Sequence, residues 1–124
     1  LGLRITLNST YVRYPNPLFV VENVLGAVDV PDEYCCVEDD YRIEYMRDHI
    51  AAMIDAVVLD GVELLGYTMW GCIDLVSAST GEMKKRYGFV YVDKDNDGNG
   101  TLKRTKKKSF DWYKKVIESN GACL

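Results

Sequence analysis

Four consecutive apolar residues directly precede one acid, Glu22, in the stretch Leu18-Phe19-Val20-Val21-Glu22-Asn23. A continuous, partly β-branched apolar run of this length predicts a strand buried on both faces of a parallel sheet. Leu64-Leu65-Gly66-Tyr67-Thr68-Met69-Trp70 predicts a second such strand. Between the two runs, apolar residues recur every three or four positions and predict one long amphipathic helix: Ile43, Met46, Ile50, Met53, Ile54 and Val57. The order strand, helix, strand indicates an α/β layer with parallel strands.

Further elements flank this unit on both sides. Apolar or aromatic residues at positions 3, 7, 11 and 14 predict a first helix, which Pro15-Asn16-Pro17 ends. Asp39-Asp40 supplies an N-cap for the long helix, and Ser109 supplies one for a last helix that closes near Gly121. Gly88-Phe89-Val90-Tyr91-Val92 is a third β-like run.

The two buried strands need neighbours on their free edges, because unpaired backbone groups are costly to bury. The remaining sequence does not supply those neighbours, and the chain begins with Leu rather than Met. We therefore expect a piece of a larger barrel or sheet protein, or a domain that is completed by another chain.

Composition excludes several classes of protein. The chain has 124 residues, 48% hydrophobic and 27% charged, which is typical of one soluble globular domain. No apolar run approaches the roughly 20 residues that cross a bilayer, and Leu1-Gly2-Leu3-Arg4 lacks the layout of a signal peptide. Four cysteines without a CxxC pair favour a reducing cytoplasm, and a single histidine, His49, argues against zinc. We expect no membrane, metal or cofactor.

Glu22 stands at the carboxyl end of a predicted buried strand, where sheets and barrels place ligand-contacting residues. A carboxylate in that position can attack an anomeric carbon, with a partner acid about 5 to 5.5 Å away in retaining enzymes. The alternative is a glutamate that caps the strand or forms a salt bridge. Trp70, at the other strand end, can stack on a sugar or belong to the core.

A loop rich in cations and hydroxyls follows the second strand. Lys84-Lys85-Arg86-Tyr87, preceded by Ser77, Ser79 and Thr80, supplies donors that bind phosphate. The distribution of charge along the chain supports an anion site. Residues 1–80 hold 4 basic and 13 acidic groups (−9), whereas residues 81–124 hold 11 basic and 6 acidic groups (+5). The alternative is an ordinary solvated basic loop.

Two other motifs favour structural interpretations. Asp93-Lys94-Asp95-Asn96-Asp97-Gly98 begins like an EF-hand loop, but Arg104 occupies the position of the essential bidentate glutamate, so a turn is favoured over a calcium site. Lys103-Arg104-Thr105-Lys106-Lys107-Lys108 lacks the interleaved aromatics of a nucleic-acid patch, which indicates a solvated loop and no nucleic-acid partner.

Taken in order, these motifs resemble glycoside hydrolase family 1 and, within it, the bacterial 6-phospho-β-glucosidases. The similarity runs from Leu3-Arg4 through residues 14–23 to Trp112-Tyr113-Lys114-Lys115-Val116-Ile117. Because the family fold is a (β/α)8 TIM barrel, the resemblance implies that residues 1–124 are its C-terminal quarter. Strand seven would end at Glu22 and strand eight at Trp70, with helix seven over about 39–60 and helix eight from 109.

The resemblance also implies roles for individual residues. Glu22 matches the nucleophile of retaining hydrolysis, and Trp70 matches an aromatic residue beside the glycone. Ser79, Lys85 and Tyr87 match the residues that bind the sugar 6-phosphate, although Ser77 could exchange roles with Ser79. Ala78 makes room for the phosphate and favours a gluco-configured substrate. The complete enzyme would hydrolyse phosphorylated β-glucosides, such as cellobiose 6-phosphate or aryl glucoside phosphates.

Two departures from the family pattern matter. Val24 stands where the family usually has glycine, so a turn that needs positive φ would be strained. The Asn-Glu-Pro motif that carries the family's general acid/base is missing, so we expect this chain alone to be inactive and to require the rest of the barrel, or to self-associate. The alternative is a noncatalytic sugar-phosphate-binding or regulatory module derived from the same barrel.

Overall fold

The computed structural model describes residues 1–23 and 25–124. Among them the helices are α1 (Gly2–Arg13), α2 (Asp40–Val58) and α3 (Lys108–Glu118). The strands are β1 (Leu18–Val20), β2 (Ala27–Val28), β3 (Leu64–Tyr67), β4 (Lys85–Arg86), β5 (Val90–Val92) and β6 (Arg104–Lys106). No helix within these two ranges is both long and apolar enough to cross a membrane.

The predicted strand, helix and strand unit is confirmed. β1 and β3 pair in parallel, with Leu18 opposite Leu64 and Val20 opposite Tyr67, and α2 connects them. The first helix packs against α2 through a small cluster of apolar residues: Leu7, Ala56 and Val62. A second cluster joins α2 to α3 and the loop before β5: Met46, Ile50, Phe89 and Val116. Both faces of α2 are therefore used, one toward α1 and one toward α3.

The edges of the parallel pair are open. Within the described residues, β1 and β3 pair only with each other. Val21 is 70% exposed and Leu65 is 73% exposed, so the prediction that both runs are buried on both faces is wrong for this chain. The apolar runs are suited to a larger sheet, and the neighbours that would cover them are not among the described elements.

The third β-like run forms β5, which pairs antiparallel with β6. In the connecting turn, the Asp93 carboxylate accepts hydrogen bonds from the backbone N–H and the hydroxyl of Thr101, and Asp95 accepts from Asn99. These bonds lower the pKa of both aspartates. Asn96 Oδ1 also accepts from Met83 N at 2.8 Å, which ties the turn to the loop before β4.

The predicted cap of the last helix is wrong in its details. α3 begins at Lys108 with Lys107 as its N-cap, and the Ser109 hydroxyl donates to Asp39 at 2.5 Å rather than capping its own helix. Asp39 in turn makes no side-chain cap bond in α2, and it accepts from Ser109 N at 2.8 Å. The carboxylate predicted to cap α2 thus caps α3, because packing brings the two helix starts together.

Candidate active site

The ends of β1 and β3 continue side by side toward the candidate catalytic residues. Asn23 N donates to Thr68 O at 3.1 Å, and Trp70 N donates to Asn23 O at 2.9 Å. Glu22 and Trp70 therefore lie at the same carboxyl edge of the parallel pair. The Glu22 side chain is exposed, and it forms no hydrogen bond or ion pair with residues 1–23 or 25–124.

Asn23, the residue after Glu22, is hydrogen-bonded to two tyrosine hydroxyls. Tyr67 OH donates to Asn23 Oδ1 at 2.8 Å, and Asn23 Nδ2 donates to Tyr45 OH at 3.3 Å. Burial raises the pKa of Tyr67, so its hydroxyl keeps the proton that it donates. These bonds orient the backbone from which Glu22 projects. The predicted strain at Val24 falls on the one residue outside the described part of the chain.

Trp70 is 38% exposed, which leaves part of its indole open at this edge. The next residue, Gly71, has φ of +76°, where an L side chain is disfavoured. The chain therefore turns sharply after Trp70 and leads into the loop that carries the hydroxyl and cationic residues.

The structure brings the predicted phosphate-binding residues together. Tyr87 OH donates to Ser77 Oγ at 2.9 Å, and the Ser77 and Ser79 hydroxyls are 3.4 Å apart. Lys85 Nζ lies 5.7 Å from the centroid of the Tyr87 ring. Ser77 is buried, whereas Ala78 and Ser79 are exposed. An ammonium group, a phenol and hydroxyls thus form one cluster.

A short β-bridge connects this cluster to the loop after Glu22. β2 pairs antiparallel with β4, with Ala27 opposite Arg86 and Val28 opposite Lys85. The residues after β1 and the residues around Lys85 are therefore parts of one local structure. Two distant parts of the sequence meet there, which neither sequence pattern predicts by itself.

A buried ionic cluster beneath this structure was missed by the sequence analysis. It consists of three cations and three carboxylates, each 9% exposed or less: Arg42, Arg86, Lys107, Asp29, Asp39 and Asp74. Lys107 Nζ lies 2.5 Å from Asp29 and 2.7 Å from Asp74. The prediction that residues 103–108 form a solvated loop is wrong, because Arg104–Lys106 forms β6, Lys107 is buried and α3 begins at Lys108. The only available signal was the excess of acids in the first part of the chain and of cations in the second.

Two other cations of the predicted anion site face elsewhere. The buried Arg86 guanidinium donates to Val92 O at 3.0 Å and to Lys94 O at 2.7 Å, so it serves the fold. Lys84 is exposed and pairs with Glu82 at 3.2 Å, and this lysine lowers the pKa of Glu82. Of the three consecutive cations, Lys85 is the one that belongs to the hydroxyl cluster. No group of three or more His, Cys, Asp or Glu residues in the described ranges could hold a metal ion.

Comparison with known proteins identifies the family of the chain. The sequence model for glycosyl hydrolase family 1 matches residues 1–122. The chain belongs to this family. It is 65% identical to the aryl-phospho-β-D-glucosidase BglH of Bacillus subtilis, over 99% of this chain and 26% of the relative. It is 67% identical to the 6-phospho-β-glucosidase AscB of Escherichia coli, over 100% of this chain and 26% of the relative.

The structural comparison agrees. A family 1 β-glucosidase from Thermotoga maritima superposes with a TM-score of 0.85 at 34% identity, over 97% of this chain and 26% of that structure. The chain thus spans about a quarter of the length of the relatives that it matches. This glycosyl hydrolase family 1 chain has the fold of part of a TIM barrel, which explains the open edges of β1 and β3.

Proposed function

We propose that this chain supplies strands seven and eight, with their helices, to a retaining 6-phospho-β-glucosidase. The observation that carries the proposal is the meeting of two groups of residues at one edge. Glu22 and Trp70 lie at adjacent strand ends, and Lys85 and Tyr87 are bridged to the loop after Glu22 through β2 and β4. The high identity to proteins named as phospho-β-glucosidases supports the same assignment.

In this proposal the Glu22 carboxylate attacks the anomeric carbon and displaces the aglycone, forming a glycosyl ester that water then hydrolyses. Its exposure and its lack of hydrogen-bond partners among the described residues leave it available to a substrate. A proton donor must assist the leaving group. That donor would lie in the rest of the barrel, so we propose that residues 1–124 alone do not hydrolyse substrate.

The 6-phosphate would bind at the cluster around Tyr87. The Lys85 ammonium supplies the charge, and the exposed Ser79 hydroxyl supplies a hydrogen-bond donor. The Tyr87 hydroxyl, which donates to Ser77 Oγ in this structure, would turn to donate to the phosphate. Ser79 is favoured over Ser77 as the ligand, because Ser79 is exposed whereas Ser77 is buried. The methyl group of Ala78 leaves room beside the cluster, and the partly open Trp70 indole would contact the gluco-configured ring.

The free cysteines and the open strand edges indicate the compartment and the partners of such an enzyme. The four cysteines are free, which suits a reducing cytoplasm where phosphorylated glucosides would be its small-molecule substrates. The open edges of β1 and β3 would be covered by the remaining strands of the barrel, and without those strands the chain would self-associate through them. Residues 1–124 would then be one segment of a single barrel domain.

The test compares p-nitrophenyl β-glucoside 6-phosphate with p-nitrophenyl β-glucoside as substrates of the complete enzyme that contains this chain. We expect hydrolysis of the phosphorylated compound to be strongly preferred. Glu22→Gln should lower kcat by roughly 10⁴-fold or more, because the glycosyl ester can no longer form. The matched control Glu44→Gln changes an exposed glutamate of α2 and should leave kcat unchanged. Near-normal turnover by Glu22→Gln would remove Glu22 from the nucleophile role.

A further inference from the structure

Gly26 lies against the two residues that we assign to phosphate binding. A Cβ atom at position 26 would stand 2.6 Å from Tyr87 Cε1 and 2.7 Å from Lys85 Cε. Both distances are below those that real Cβ atoms adopt. Gly26 is not among the glycines with positive φ, so its backbone conformation does not require glycine. Glycine is therefore needed at position 26 only because the neighbouring side chains leave no space for a Cβ atom.

The backbone on both sides of Gly26 is held in place. On one side, Leu25 O accepts a hydrogen bond from Arg42 Nη1 at 2.9 Å, and the same nitrogen donates to Tyr87 O at 3.0 Å. On the other side, Ala27 pairs with Arg86 in the β2–β4 bridge. Arg42 is fully buried, and it is further anchored by Asp39 at 3.0 Å. The backbone at position 26 therefore cannot easily retreat from a new side chain.

The Lys85 and Tyr87 side chains must then give way. Moving Tyr87 Cε1 from 2.6 Å to an ordinary contact of 3.4 Å requires a shift of about 0.8 Å. The ring is buried and its hydroxyl donates to Ser77 Oγ, so such a shift stretches or breaks that bond. The Lys85 methylenes are more flexible, but a change in their path moves the ammonium group away from the cluster.

We propose that Gly26 is a specificity-determining position, at which the absence of a side chain lets Lys85 and Tyr87 adopt the arrangement that binds the substrate 6-phosphate. This inference rests on the proposed function and deepens it. Gly26 touches no substrate in this scheme. It acts through the two side chains that pack on it, and a methyl group there reduces phosphate recognition more than it reduces hydrolysis of an unphosphorylated glucoside.

The experiment uses the complete enzyme and the ratio of kcat/KM for p-nitrophenyl β-glucoside 6-phosphate to that for p-nitrophenyl β-glucoside. Gly26→Ala should lower this ratio about tenfold or more, which corresponds to losing roughly one charge-assisted hydrogen bond. Because both values come from one preparation, partial unfolding cancels from the ratio. The matched control is Gly2→Ala in α1, where an added Cβ meets nothing within 4 Å; its ratio should equal that of the wild type.

Combining substitutions gives a second test, because it measures whether the effect of Gly26→Ala depends on the side chains that pack on Gly26. If Gly26→Ala acts by displacing Lys85 and Tyr87, its effect on the ratio should largely disappear in a Lys85→Ala/Tyr87→Ala background, so the losses should not add. A wild-type preference for the phosphorylated substrate with an unchanged ratio in Gly26→Ala, or fully additive losses, overturns the role of Gly26 and leaves the proposed function standing. No preference in the wild type overturns the proposed function and this inference with it.

Discussion

Replacing Lys107 with methionine in the complete enzyme should destabilise it by roughly 3 kcal/mol, at the lower end of the about 3 to 5 kcal/mol for breaking a buried ion pair. The Lys107 side chain is fully buried, and its ammonium group lies 2.5 Å from Asp29 and 2.7 Å from Asp74. Methionine keeps most of the packing volume, so the loss comes mainly from two buried carboxylates that lose their nearest cation. Asp29 retains the Tyr41 hydroxyl and Arg42 at 3.7 Å, and Asp74 retains Gly88 N–H and Arg86 at 3.7 Å, which limits the loss.

The assay is the midpoint of urea or thermal unfolding at a fixed scan rate, since large enzymes often unfold irreversibly. Lys106→Met is the matched control, because the Lys106 side chain is 61% exposed and stands 3.8 Å from the exposed Asp111. The control should cost less than about 1 kcal/mol. Adding Asp29→Asn to Lys107→Met should recover part of the loss, because it removes the excess negative charge that the buried cluster then carries. Equal effects of Lys107→Met and Lys106→Met would refute the description of a buried ionic cluster.

Two further predictions concern the phosphate site and acid stability. Lys85→Ala should raise KM for p-nitrophenyl β-glucoside 6-phosphate about 10- to 100-fold, the worth of a charged hydrogen bond, with Lys84→Ala as a control that stays within about twofold; equal losses on the unphosphorylated glucoside would remove Lys85 from the site. Hydrogen bonds from Arg4 and Asn8 lower the pKa of Asp60 from 3.8 to about 2. Since the pKa is lower in the folded state, the stabilisation is present above about pH 4 and is lost as the pH falls through about 2. The melting temperature of Asp60→Asn should therefore lie below that of the wild type at pH 5, and the gap should close toward pH 2; a gap that is absent at pH 5 would contradict the prediction.

Hydrophobic spacing was enough to predict the α/β alternation. The apolar runs that end at Glu22 and Trp70 became the parallel pair β1 and β3, and the three- and four-residue spacing between them became α2. These signals are local, because a strand or helix buries a face that a few neighbouring residues define. The hydroxyl and cationic loop was also predictable as a group, and the resemblance to the family added the individual roles.

Local patterns could not tell which cation of a basic run is buried. Lys106 and Lys107 are sequence neighbours, yet Lys106 is mostly exposed and Lys107 is fully buried. The Lys107 partners, Asp29 and Asp74, are 78 and 33 residues away. For the same reason the Asp39 carboxylate accepts from Ser109 N of α3, although Asp39 occupies the N-cap position of α2.

The space at Gly26 also became visible only in three dimensions. Its neighbours Lys85 and Tyr87 are about sixty residues farther along the chain, and their contact depends on the β2–β4 pairing and on the bonds of Arg42 to both segments. Periodicity and turn chemistry act over a few residues and could be derived from the chain alone. The pairing of buried charges and the close approach of side chains depend on which distant segments meet, and that was decided by tertiary packing.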